Sequence, residues 1–163
     1  RPMIDCRTTF LAAATAALLL SGAGAAGAAE PTVVILTQTG CQFLESENGV
    51  DHDYKPQSEA DCNKINADSG ADRLAAAKPL ELTPGKYIFR VTNKTVSYQL
   101  GSWLRDSDYQ PGNPLHKLSK TSVSGGGLTL GKTRDYEVDL KPGEYLYSCP
   151  LNPTPDYKLV VKG

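Results

Sequence analysis

The pattern Leu-x-Pro-Gly-x-Tyr occurs twice, as Leu82-Thr83-Pro84-Gly85-Lys86-Tyr87 and as Leu140-Lys141-Pro142-Gly143-Glu144-Tyr145. Each Pro-Gly suits a type II turn, in which proline presets the first central residue and glycine accepts the positive φ of the second. A strand then starts at each tyrosine. After the first turn, Tyr87, Phe89 and Val91 alternate with Ile88 and Arg90, which puts the rings on one face. Two such units predict strands that cross between packed sheets, an all-β Greek-key β-sandwich.

Other segments extend that reading. Pro31–Thr37 is rich in β-branched residues and predicts a buried strand. Leu80–Thr83, Tyr98–Leu104 (with the single tryptophan, Trp103), Arg134–Leu140, Glu144–Cys149 and Tyr157–Lys162 complete the set. Around residues 58–77 the texture is helical: Ser58 can cap, acidic residues fill the first turn, and Gly70 predicts a stop, with another turn or two before Pro79. Arg105–Leu128, with Pro111-Gly112, Asn113-Pro114 and Gly125-Gly126-Gly127, reads as a long irregular connection, and such loops usually carry function.

Residues 1–29 have the three parts of a secretory signal peptide: Arg1 and Arg7, an apolar run from Phe10 to Leu20, and a Gly/Ala-rich stretch to Ala29. The apolar run is shorter than the ~20 residues that cross a bilayer. The expected mature domain, residues 30–163, would be periplasmic or secreted. Without Arg1, Arg7 and Asp5, the 17 basic and 18 acidic residues leave a net charge of about −2. No Lys/Arg cluster exists to track phosphates, which argues against nucleic acid as a partner.

Cys6 would leave with the leader, and Cys41, Cys62 and Cys149 remain. An exported chain keeps disulfides. Cys41 with Cys62 is the preferred pair, since both flank one insertion, and closing that loop would contribute about 3 kcal/mol. A Cys41–Cys149 bond is the alternative. Catalytic patterns are thin: Ser124-Gly125-Gly126-Gly127 lacks the lysine of a phosphate loop, and no serine has a suggestively placed histidine. The chain does not read as an enzyme.

The segments PGKYIFRVTNKTVSYQL and LGKTRDYEVDLKPGEYLYSCPLNPTPDYKLVV together resemble the second half of a cupredoxin, a blue-copper protein. The resemblance covers Leu80–Val161, more loosely Pro31–Thr37, and gives no counterpart for Cys41–Lys78. In that family a Val-x-Asn strand leads to a histidine ligand, and a Pro-Gly-x-Tyr strand delivers a cysteine ligand. A short loop then supplies a second histidine and usually a methionine. Cys149 matches the cysteine position. The upstream histidine would fall near Ser97 or Tyr98, and the downstream ligands in Pro150–Asp156, where Asn152 stands; none is present. The only methionine, Met3, lies in the leader.

A blue-copper centre takes two imidazoles and a thiolate. The chain has two histidines, His52 and His116, both in expected loops. Cys149 with His116 is the candidate metal pair, for copper or zinc, with Asn152, Gln99 or Gln42 able to offer an axial oxygen. The competing reading of Cys149 is a buried, unreactive thiol. The expected function is a cupredoxin-like binding or accessory module with no cofactor, docking another periplasmic or membrane-associated protein. Trp103, Tyr109, Leu115 and Asn152 are its candidate contacts, although Trp103, like Tyr147, also suits the core. The alternative is an electron-transfer or copper-handling protein that uses Cys149. Thiol–disulfide chemistry is a third reading, lacking a Cys-x-x-Cys pair.

Overall fold

The structure, a computed structural model, describes residues 29–163. The expected leader thus lies, except for Ala29, outside the described residues. The strands in chain order are β1 (Thr32–Thr39), β2 (Gln42–Phe43), β3 (Leu80–Leu82), β4 (Gly85–Asn93), β5 (Leu100–Asp106), β6 (Ser122–Leu128), β7 (Thr133–Leu140), β8 (Gly143–Ser148) and β9 (Tyr157–Val161). Helix α1 (Glu59–Ala76) lies between β2 and β3, and α2 (Pro114–Ser119) lies between β5 and β6. A 3-10 turn, Glu45–Glu47, follows β2.

Two mixed sheets result, ordered β2-β1-β4-β7 and β3-β9-β8-β5-β6. The protein is mostly β, a β-sandwich-like fold. Its core holds Leu36, Tyr87, Phe89, Val91, Leu104, Tyr136, Tyr145, Tyr147 and Leu159 from both sheets. The alternation expected in β4 is present: Tyr87, Phe89, Val91 and Asn93 are buried, while Lys86 and Arg90 are exposed.

The repeated Pro-Gly units are the crossings. β3 belongs to one sheet and β4 to the other, and β7 and β8 are divided the same way. The glycines adopt nearly the same conformation, φ 154° at Gly85 and 155° at Gly143. A side chain is strained there, so glycine is required. Each following tyrosine turns back on its own corner: Tyr87 Oη donates to the Thr83 carbonyl (2.8 Å), and Tyr145 Oη to the Lys141 carbonyl (2.9 Å). The ring is buried as core while its hydroxyl fixes the turn. Gly85 also sits opposite Leu140 in the β4–β7 ladder, so the corners are neighbours at one end of the molecule.

Elements differ from expectation in several places, among them α2, a helix over Pro114–Ser119 where an irregular connection was expected. α1 does not stop at Gly70 but runs unbroken to Ala76. Gly70 is buried, and Arg73, one turn beyond it, is drawn inward by an ion pair with Glu47, so tertiary contacts outweigh the glycine penalty of about 1 kcal/mol. The triple-glycine stretch is not loop but part of β6. It pairs with β5 across a register shift between Leu100 and Ser102. A Cβ at Gly101 would meet the Gly125 carbonyl oxygen at 2.5 Å, so these backbones approach more closely than side chains permit.

Losing one corner hydrogen bond isolates its contribution. Tyr145→Phe should lower unfolding stability by about 1 kcal/mol, and Gly143→Ala by more through backbone strain. Urea unfolding followed by tyrosine and tryptophan fluorescence measures both.

Candidate functional site

Cys149 immediately follows β8 and is 1% exposed. Cys41 and Cys62 form a disulfide, which leaves Cys149 as the free thiol among the described residues. The Asn152 backbone N–H donates to Cys149 Sγ at 3.3 Å. Burial pushes the thiol pKa up, against the backbone N–H groups of Gly101, Asn152 and Leu151 and the Gln38 side chain, which favour the thiolate. Near neutral pH the sulfur is therefore a protonated, enclosed thiol, a poor nucleophile and a poor ligand.

The Asn152 side chain fills this corner. Its Oδ1 accepts the Cys41 N–H (2.8 Å) and touches Cys62 Sγ (3.2 Å). Its Nδ2 donates to the Thr39 carbonyl (2.9 Å) and to Gln38 Oε1 (3.3 Å). Gln38 Nε2 in turn donates to the Gly101 carbonyl (2.6 Å). The two carboxamides thus join β1, the disulfide, the start of β5 and the loop after Cys149. Asn152 is fully buried, at 0% exposure, so this expected contact residue is an internal fastener. Gln38 could have been found in the sequence, because it continues the inward phase of Val34 and Leu36.

Asn93, at the end of β4, does the same for the next loop. Its Oδ1 accepts the Val96 N–H, and its Nδ2 donates to the Val96 and Leu128 carbonyls. Tyr98, where the resemblance would put an upstream histidine, has its hydroxyl 3.9 Å from Cys62 Sγ. Burial raises its pKa to about 12.

The imidazoles are elsewhere. His52 Nε2 lies 2.7 Å from Glu47 Oε2. Glu47 is itself buried, paired with Arg73 Nη2 at 2.7 Å and hydrogen-bonded by the Tyr157 hydroxyl. Arg73 also donates to the Cys41 carbonyl and to Asn66 Oδ1. Neither Glu47 nor Arg73 had a local sequence signal, since they are 26 positions apart and meet only through the fold. His116 lies on α2, where its Nδ1 accepts the Gln110 N–H at 3.0 Å and its ring centroid is 6.2 Å from that of Tyr109. His116 thus meets Gln110 and Tyr109, while the groups hydrogen-bonded to Cys149 Sγ are backbone N–H groups and the Gln38 side chain. A blue-copper set needs two imidazoles beside the thiolate, and the groups around this sulfur are carboxamides and backbone, so they do not fit it. No buried side-chain nitrogen or oxygen among the described residues lacks a partner.

The other candidates divide between core and surface. Tyr147 packs inside, 5.6 Å from Tyr157 and 5.8 Å from Phe43, with its hydroxyl on Ser46. Trp103 is half-buried on the outer face of its sheet. Its Nε1 donates to Ser122, and the Arg105 guanidinium lies 4.0 Å from its ring. Arg105 is held by Ser148 and Asp156. Tyr109 meets the edge of Trp103, and beyond it α2 exposes Leu115 (69%) and Leu118 (87%).

No family model matches the sequence, and no curated protein matches it. Two consequences of the geometry are measurable. Asn152→Ala strips partners from the buried Cys41 N–H and Thr39 carbonyl and should cost about 3 kcal/mol, read by urea unfolding. Burial alone would raise the Glu47 pKa, but Arg73, Tyr157 and His52 outweigh it and hold the group below its ordinary 4.5. A depressed folded pKa stabilises the fold above the unfolded value, and that stabilisation is lost as pH falls through the folded value. Thermal midpoints should therefore drop below about pH 4.5, and the Glu47 contribution to that slope should vanish in Glu47→Gln.

Proposed function

We propose that this chain is an exported, cupredoxin-like module that binds another periplasmic or membrane-associated protein and does not form a type 1 copper centre. The observation that carries the reading is the Asn152 carboxamide. It stands in the loop where the resemblance puts a histidine, and it spends all four of its contacts on the chain itself. A corner held together in this way serves shape rather than ligand exchange. The sheet order, with two Pro-Gly crossings and a cysteine directly after β8, supports the kinship with cupredoxins.

The contact end is the β5–β6 connection. Leu115 and Leu118 are exposed on a short helix whose start is fixed by Asn113 and Pro114, and the half-buried Tyr109 ring precedes it in the same connection. A preformed surface of this kind loses little entropy on docking. Trp103 and Arg105 form its floor rather than its tip.

Copper decides the first half of the proposal. Copper(II) is added to purified, metal-free protein and the visible spectrum is recorded. We expect no intense thiolate-to-copper band and no stoichiometric uptake. A band that disappears in Cys149→Ser would overturn the proposal in favour of a copper protein using Cys149.

A further inference from the structure

Among the described residues, the N-terminal half of β1 is an open sheet edge. β1 pairs with β4 along Thr32–Gln38, but with β2 only at Gln38 and Thr39. The direction of its backbone groups follows from Thr37. The Thr37 carbonyl accepts the Leu44 N–H, and the Thr37 N–H donates to Glu45, so both groups point away from β4. Backbone direction alternates along a strand. The N–H and C=O groups of Ile35 and Val33 therefore point the same way, into space that no described residue pairs.

The side chains of this edge are equally exposed. Val33 is 42% and Ile35 61% exposed, and Ile88 stands beside Val33 in the ladder. The usual guards of an edge are charges, prolines and bulges. Here they sit only at the ends, Glu30 and Pro31 before the open stretch and Glu45 after it. Between those limits Thr32–Leu36 carries no charge.

We propose that this edge is an interface between two copies of the chain, paired antiparallel about a two-fold axis. The proposal does not depend on the copper or docking readings above. An identical strand is the occupant that the edge suits best. It brings the same two outward donors and acceptors, from Val33 and Ile35, to meet their counterparts. It places Val33, Ile35 and Ile88 of each copy on one continuous face, where β-branched neighbours pack across strands. It also meets no like charge, which lets a self-complementary patch close on itself. Glu45, bonded to the Thr37 N–H and hydroxyl, bounds the overlap. The contact is narrow, so the dimer forms at high concentration rather than as an obligate unit.

Sedimentation velocity of the full chain, from about 1 µM to about 1 mM, is combined with amide hydrogen exchange. We expect a monomer–dimer equilibrium in which the Val33 and Ile35 amides exchange more slowly as concentration rises. Ile35→Pro removes an outward donor and leaves the ladder to β4 intact, and it should weaken association at least about tenfold. Val33→Lys with Ile35→Lys sets like charges across the axis and should abolish association, with the fold checked by circular dichroism. A single monomeric species at every concentration would overturn the proposal. So would a dimer that survives both variants, or edge amides equally protected at all concentrations, which would mean that another segment covers them.

Discussion

The carboxamide of Asn152 is the interaction on which the end of the molecule around Cys149 depends. It bonds backbone on either side of Gly40 and touches a disulfide sulfur, linking segments 90 to 114 positions apart in the chain. A carboxamide suits the task because it offers a donor and an acceptor on one rigid plane. Gln38 extends the same network across the sandwich to the start of β5. Buried polar groups specify a unique arrangement when every member is satisfied, and in this corner every member is. The enclosed thiol follows from that arrangement: the amides that order the loop also exclude water from the sulfur.

The same logic docks the excursion between β2 and β3. α1 has a thin apolar face, burying only Cys62, Gly70 and Arg73. Hydrophobic burial cannot hold such a helix by itself. Covalent and polar ties replace it: the disulfide to Cys41, the Arg73–Glu47 ion pair, and Asn66 on the Pro153 carbonyl. A buried ion pair contributes little net stability, because desolvation offsets attraction, but breaking one is costly. The Arg73–Glu47 pair therefore fixes where the helix lies more than how tightly it is held. The Tyr157 hydroxyl joins Glu47 to β9.

The strand framework was legible because local rules governed it. The repeated Pro-Gly-x-Tyr marked both crossings, and the alternation of Tyr87, Phe89 and Val91 gave the inward face of β4. Placement around one insertion favoured Cys41–Cys62 but left Cys41–Cys149 open, and the structure forms the first of these. Where long-range contacts overrode local preference, the reading failed. Gly70 lies inside a helix because Glu47 holds the far end, and Gly125-Gly126-Gly127 is strand because Gly101 lets two backbones close up. In the site, Cys149 was found by its position after a Pro-Gly-x-Tyr strand. Asn152 was noticed in the right loop, but its role was invisible, since all its partners come from β1 and the disulfide.

Sequence by itself determined the class of this protein: two sheets joined by glycine turns, with a sulfur at the end of one strand. Those features rest on φ/ψ limits and on a two-residue period, both properties of a few adjacent residues. Only the tertiary structure decided what surrounds the sulfur, which polar side chains are internal, and which edge of β1 no described residue pairs. These depend on groups brought together across the whole chain, where hydrogen-bond geometry acts over about 3 Å and carries no trace in local order.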